Sequence, residues 1–301
     1  MEQNSCSVIS DIDAIIAQAM AEYTGEAPLA NYTTVNEPVA EEEPEAPVVE
    51  EEIPEIIPHN SDSLLVNQAT SRFNSAIWYN NIRTKIVTLA GLGGIGSYVA
   101  FLLGRLHPDT ILLYDGDRIE EANMSGQLYS GDDIGQMKSN AIATMIRRYS
   151  YDYDLRTYSN FDFSNPNPTK IMMCGFDSMA ARRSYFECWL SYVNSLTVEE
   201  RAKCLFIDGR LAAESLQVFC MRGNDRYNIN KYEEEFLFTD AEADETICSY
   251  KQTSFMAMMI GSIMVNLFVN FCANECDPLV PRDLPFLTEY TAETMYFKVV
   301  Q

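Results

Sequence analysis

Apolar residues come in short blocks along this chain, and the length of each block says what it builds. In KIVTLAGLGGIGSYVAFLLGRLHPDTILLY a five-residue apolar run, Ile86 to Ala90, meets a glycine cluster. A longer run, Ile95 to Leu106, and a second short one, Ile111 to Tyr114, come next. Short β-branched runs bounded by turn residues predict strands, and the longer run a helix, so the stretch reads as strand, glycine turn, helix, strand. A helix from Lys138 to about Tyr149, a weak strand near Leu155 to Tyr158 and a short buried strand, Ile171 to Cys174, continue the alternation. Residues 203–222 read as two strands, CLFID and SLQVFCM, around Gly209; Asn224 to Asp244, polar, acidic and aromatic, reads as a solvent-facing crossover loop. Ser254 to Ala273 carries no charge, and a last strand, about Thr294 to Val300, is expected to close an antiparallel part of the sheet. The expected fold class is α/β: a Rossmann-like, doubly wound, mostly parallel sheet with antiparallel C-terminal strands.

The first 60 residues differ. Ser10 can cap a short helix whose Ile12, Ile15, Ile16 and Ala19 share a face and which ends near Gly25. Residues 26–60 hold six of the twelve prolines and two glutamate runs, a composition that favours a disordered linker. Within it VVEEEIPEII could add as a strand to a partner's sheet edge, beside the plainer reading of a solvated linker. The expected organisation is therefore a tail with a short helix (1–24), an acidic linker (25–60) and one α/β domain (61–301). Of the net charge of −23, −14 falls in residues 1–60 and −9 beyond them. Such acidity argues against nucleic acid as a partner, because phosphate recognition needs clustered Lys and Arg.

Eight cysteines without a basic and apolar N-terminal signal read as free thiols in a cytosolic protein. Cys272 and Cys276 form the one close pair, a poor zinc site, so no zinc is expected. Two histidines, His59 and His107, leave little room for Ser/His or Cys/His catalysis. The uncharged stretch at 254–273 is long enough to span a bilayer, yet Ser262, Asn266 and Asn270 fall four apart on one face and no basic cluster flanks it, which favours a helix packed on the sheet.

The glycines of the first turn carry chemistry. Gly91 permits a tight turn out of the strand, Gly93, with Gly94 beside it, lets backbone N–H groups approach a phosphate, and Gly96 lets the helix pack closely, its positive end aimed at anionic oxygens. Asp115, nineteen residues beyond Gly96, stands where a carboxylate can accept ribose hydroxyls. On these residues alone a nicotinamide-dependent oxidoreductase remains open.

The segment that begins at Asp115 resembles the ThiF/HesA/MoeB family of ubiquitin-activating-type adenylyltransferases. The family pattern is matched by Asp115 and Asp117, Asn123, Gln127, and Gly135 to Lys138, and the likeness extends from about Ser71 to the C-terminus. The resemblance implies binding of ATP and Mg²⁺, with Asp115, Asp117, Asn123, Gln127 and Lys138 around the nucleotide. It puts Asp177, in FDSMAAR, on the metal, and gives Arg182 as the arginine five residues on. Arg72, before Phe73, matches an arginine that reaches the triphosphate of a neighbouring subunit, which implies a homodimer or a heterodimer with a related subunit. The implied reaction adenylates the C-terminal carboxylate of a small ubiquitin-like or sulfur-carrier protein. Cys248 lies near the position of a family cysteine that takes the acyl group as a thioester; an inert loop cysteine is the alternative. Two departures stand out. Ser178 replaces a common Asn, and Gly126 stands where an Arg usually precedes the Gln, unless Arg72, Arg118 or Arg182 compensates. A non-catalytic scaffold subunit is therefore the rival reading. Asp208 and Arg210, in the turn expected around Gly209, could lie near the modifier's tail.

Overall fold

The computed structural model describes residues 70–150, 154–238 and 253–301. The tail of residues 1–60, the expected helix within it, the domain start at 61 and Cys248 all lie outside them. A short helix, α1 (Tyr79–Ile82), leads into β1 (Ile86–Ala90), α2 (Gly94–Leu106) and β2 (Thr110–Tyr114). After two 3-10 turns, Glu121–Ser125 and Gly131–Asp133, come α3 (Lys138–Ser150), β3 (Asp154–Tyr158), β4 (Ile171–Cys174), α4 (Met179–Ser195) and α5 (Val198–Arg201). The chain continues through β5 (Leu205–Ala212), β6 (Ser215–Arg222), α6 (Arg226–Lys231), a π turn at Tyr232–Phe236, α7 (Ser254–Cys276), β7 (Leu287–Thr291) and β8 (Tyr296–Val300).

Among the described residues, eight strands form one sheet in the order β3-β2-β1-β4-β5-β6-β7-β8. The first five run parallel and β6, β7 and β8 antiparallel, as expected from the sequence. Parallel strands are buried on both faces, which is why β1, β2 and β4 read as continuous apolar runs. Successive residues serve opposite faces: Ile111 and Leu113 join one core with α2, α3 and α7, whereas Leu112 and Tyr114 join the other with α4 and α6. Strand order turns around between β1 and β4, and the carboxyl ends of those strands are where ligands of open α/β sheets bind.

Three expectations change. Gly209 is not a turn: β5 runs through it to Ala212, and the chain reverses at Ala213 and Glu214, with Ala213 at φ 54°. Gly209 instead faces α7, where an added Cβ would lie 2.6 Å from Met264 Sδ. The stretch from Asn224 is not all loop, because α6 and the π turn bury Ile229 and Tyr232. The C-terminal end holds two strands, β7 having gone unread.

α7 is, by length and composition, apolar enough to cross a membrane. About half of it is buried, packed against α2, β5 and β6. Gly261 lets α2 approach, since a Cβ there would sit 3.1 Å from Tyr98 Cβ. Ser262 and Asn266 are exposed, and Asn270 Nδ2 donates to the Asp283 carbonyl (3.0 Å), so the polar face points away from the sheet.

Candidate active site

The glycine turn is tight in the way its spacing requires. Gly91 takes φ +81°, and a Cβ on it would come within 2.6 Å of the Gly175 carbonyl carbon. On Gly96 a Cβ would lie 1.8 Å from Gly91 O, so neither tolerates a side chain without moving backbone. Gly93 is open by contrast, with Gln127 Nε2 at 3.9 Å as the one neighbour of an added Cβ. Gly94 begins α2. No side chain caps this helix and its first turn holds no acid, which leaves its N-terminal N–H groups and dipole available to an anion.

The loop after β2 is clamped onto this turn. Asp115 accepts Leu92 N–H on Oδ2 (2.7 Å) and Asp117 N–H on Oδ1 (2.8 Å). Its pKa is raised by burial, against the lowering effect of those amides and of Lys138. Both oxygens of the expected ribose acceptor thus already hold backbone, and each keeps one further lone-pair direction. Lys138, buried at the start of α3, donates from Nζ to Asp117 Oδ2 (2.8 Å), while Asp117 itself is exposed. Asn123 spends its Oδ1 on Glu120 N–H (2.9 Å), a capping contact. Gln127 Oε1 is buried and has no hydrogen-bond partner among the described residues, an acceptor left for a ligand donor such as an adenine amine or a ribose hydroxyl. Tyr129, unread in the sequence, donates to Leu92 O (2.7 Å) and steadies the turn.

β4 delivers the second carboxylate. Asp177 is exposed, and its side chain makes no hydrogen bond among the described residues. Ser178, not Asp177, caps α4, its Oγ accepting Ala181 N–H (3.3 Å). Asp177 is therefore open to a cation, and Mg²⁺ asks for no more than one or two carboxylates beside phosphate oxygens. No group of three or more His, Cys, Asp or Glu among the described residues is placed to hold a metal by itself.

Arg182 does not take the compensating role left open for it. Arg182 is 4% exposed; it donates to Asp208 Oδ1, to the Gly209 carbonyl (3.2 Å) and to the Phe176 carbonyl, so it cannot stand in for the arginine missing at Gly126. Arg118 is exposed and donates to Gly135 O (2.8 Å), and Arg72 is exposed near the start of the described chain. Asp208 and Arg210 lie within β5 rather than in a surface turn. Asp208 is fully buried, receiving Arg210 Nε (2.8 Å) and Tyr232 Oη (2.8 Å) as well as Arg182.

A family description fits this arrangement across most of the chain: the ThiF family matches residues 67–301. The chain belongs to the ThiF family. Ubiquitin-like modifier-activating enzyme 5 of Drosophila pseudoobscura pseudoobscura is 33% identical over 115 residues, covering 36% of this chain and 28% of the relative. The same-named protein of Drosophila willistoni is 28% identical over 163 residues, covering 52% and 38%. The chain thus matches well under half the length of these relatives. Among solved structures, PaaA gives a TM-score of 0.59 at 14% identity, covering 98% of this chain and 82% of that one. E. coli MccB crystallised with ATP gives 0.55 at 15%, covering 77% and 71%. At such identities the likeness speaks for the fold. Within the ThiF frame, the departure at Gly126 is now concrete: the residue is buried, beside Gln127, whose Oε1 has no partner among the described residues.

Proposed function

We propose that this ThiF-family chain adenylates a carboxylate with ATP. The substrate class would be the C-terminus of a small ubiquitin-like or sulfur-carrier protein, or of a peptide. The observation that carries the reading is the run of contacts from Leu92 through Asp115 and Asp117 to Lys138, which ties a buried lysine to the glycine turn. A lysine held there serves a triphosphate, whose β,γ-phosphates a nicotinamide dinucleotide lacks. In the reaction an ionised carboxylate oxygen bonds to the α-phosphorus and the bond to the bridging oxygen breaks, releasing pyrophosphate and leaving an acyl adenylate. No proton need move, so the paucity of histidines is no obstacle. The chain's part is to orient the two reactants and to meet the growing charge, through Lys138 and the N-terminus of α2. Mg²⁺, where bound, neutralises phosphate charge, and Asp177 would hold it.

Two further steps belong to the same proposal. Arg72 serves the triphosphate only from a neighbouring subunit, as a dimer would allow. Cys248 is the candidate for accepting the acyl group as a thioester.

Carboxylate-dependent exchange of pyrophosphate into ATP tests the reading, using ubiquitin-like and sulfur-carrier proteins and short peptides as acceptors. Exchange is expected for the wild type, and for Asp177→Asn a loss of at least about a hundredfold with an unchanged melting temperature. Full activity in Asp177→Asn would remove the metal role. The absence of the arginine at Gly126, with Arg182 locked in the core, favours a second reading, a nucleotide-binding scaffold partnered by an active subunit. ATP binding without exchange would establish that one.

A further inference from the structure

The turn that carries Asp177 is fixed at every residue except Asp177. Gly175 N–H donates to Ala90 O (2.8 Å), and a Cβ at Gly175 would lie 2.5 Å from Gly91 O, so this residue is locked against the glycine turn. Ser178 is held as the cap of α4, and its carbonyl accepts Arg182 N–H (3.1 Å). The Phe176 carbonyl points to the Arg182 guanidinium. Arg182 comes from the first turn of α4 and reaches across β4 to Asp208 on β5, which is the register partner of Cys174. Asp208 is itself held on both oxygens, one by Arg182 and the other by Arg210 Nε and Tyr232 Oη, both at 2.8 Å. Arg210 is immobilised in turn: its guanidinium lies 4.6 Å from the Phe219 ring centre and donates to the Phe236 carbonyl (2.9 Å).

We propose that Asp208, acting through Arg182 and the Phe176 carbonyl, is the positioning residue that presents Asp177 to the nucleotide-bound divalent ion. The inference rests on the reading of Asp177 as a metal-holding residue, and it gives the buried ion pair a task beyond filling the core. A carboxylate that touches neither metal nor nucleotide can still set their affinity by fixing the backbone of the one that does. Asp208 is suited to this because its strand is hydrogen-bonded to β4, the strand from which the Asp177 turn departs, and because neither of its oxygens is free to turn toward solvent.

The test measures Mn²⁺ bound to the full chain in the presence of ATP, from the electron paramagnetic resonance signal of free Mn²⁺. Wild type, Asp177→Asn, Asp208→Asn and the double variant are compared, and near-ultraviolet circular dichroism reports folding. Asp208→Asn is expected to weaken Mn²⁺ binding by about tenfold or more, and to add nothing once Asp177 is already Asn. Folded Asp208→Asn protein that binds Mn²⁺ as the wild type does, or a double variant in which the losses multiply, would overturn the proposal. Where Asp208→Asn fails to fold, Arg182→Lys, which keeps the charge but loses the second reach to Phe176, must show the same loss. Failure of both to fold would assign the pair to the core alone and also overturn the proposal. Pyrophosphate exchange is scored separately: a wild type that binds Mn²⁺ with ATP but catalyses no exchange removes the adenylation reading and leaves the positioning role standing.

Discussion

His107 shows how one residue can set the chain's response to acid. It closes α2 in the left-handed region, at φ 55°, and is nearly buried. Its pKa falls from 6.5 to about 4, first through burial and then through the nearby cations Arg83 and Arg105. Between those two values the unfolded chain binds a proton that the folded chain refuses, so stability is whole above pH 6.5 and declines as pH falls toward 4. At pH 5 the loss from this residue is about 2 kcal/mol, taking one pKa step as 1.36 kcal/mol. Asn accepts the left-handed conformation and does not titrate. Denaturant melts at pH 7 and pH 5 should therefore show a smaller acid-side loss for His107→Asn than for the wild type. An equal loss would mean that His107 ionises freely in the native protein.

Elements were legible in the sequence where pattern and punctuation agreed. The apolar runs Ile86 to Ala90, Ile95 to Leu106 and Ile111 to Tyr114 marked β1, α2 and β2 to within a residue. The hairpin between β5 and β6 was misplaced because Gly209 looked like its turn. The real reversal uses Ala213 and Glu214, which carry no turn signature, while Gly209 is a glycine because α7 leaves no room for a side chain. α6 and the π turn after it were hidden by their acids, for Ile229 and Tyr232 are buried while Glu233, Glu234 and Glu235 look like loop. The site divides in the same way. Spacing alone found the glycine turn and Asp115, and the resemblance to the ThiF pattern pointed to Lys138 and Asp177, whereas the Arg182 to Asp208 pair joins residues 26 apart whose meeting depends on how β4 lies against β5. α7 offers a test of packing at this scale. Gly261→Leu pushes a side chain into α2 and should cost about 1–3 kcal/mol. Ser262→Ala, next along but exposed, should stay within about 0.5 kcal/mol. Equal stabilities in urea melts would show that α7 does not seat on α2 through Gly261.

Across the whole sheet, two kinds of strand do two kinds of work. The parallel strands β1, β2 and β4 are buried on both faces and hold the glycine turn, the Asp115 loop and the Asp177 turn at their carboxyl ends. The antiparallel strands end in β8, the outermost strand. Four of its five residues are exposed, with Tyr296, Phe297 and Val299 each at half exposure or more. That difference has a consequence in time. Local opening needs little free energy where few apolar contacts must be broken, so β8 can detach while the rest of the sheet stays intact. Hydrogen–deuterium exchange should replace the amides of 296–300 within seconds to minutes. Those of β1 and β4 should wait for global unfolding and slow down together when the protein is stabilised. Matching protection in β8 and β1 would reveal that the last strand is covered in solution.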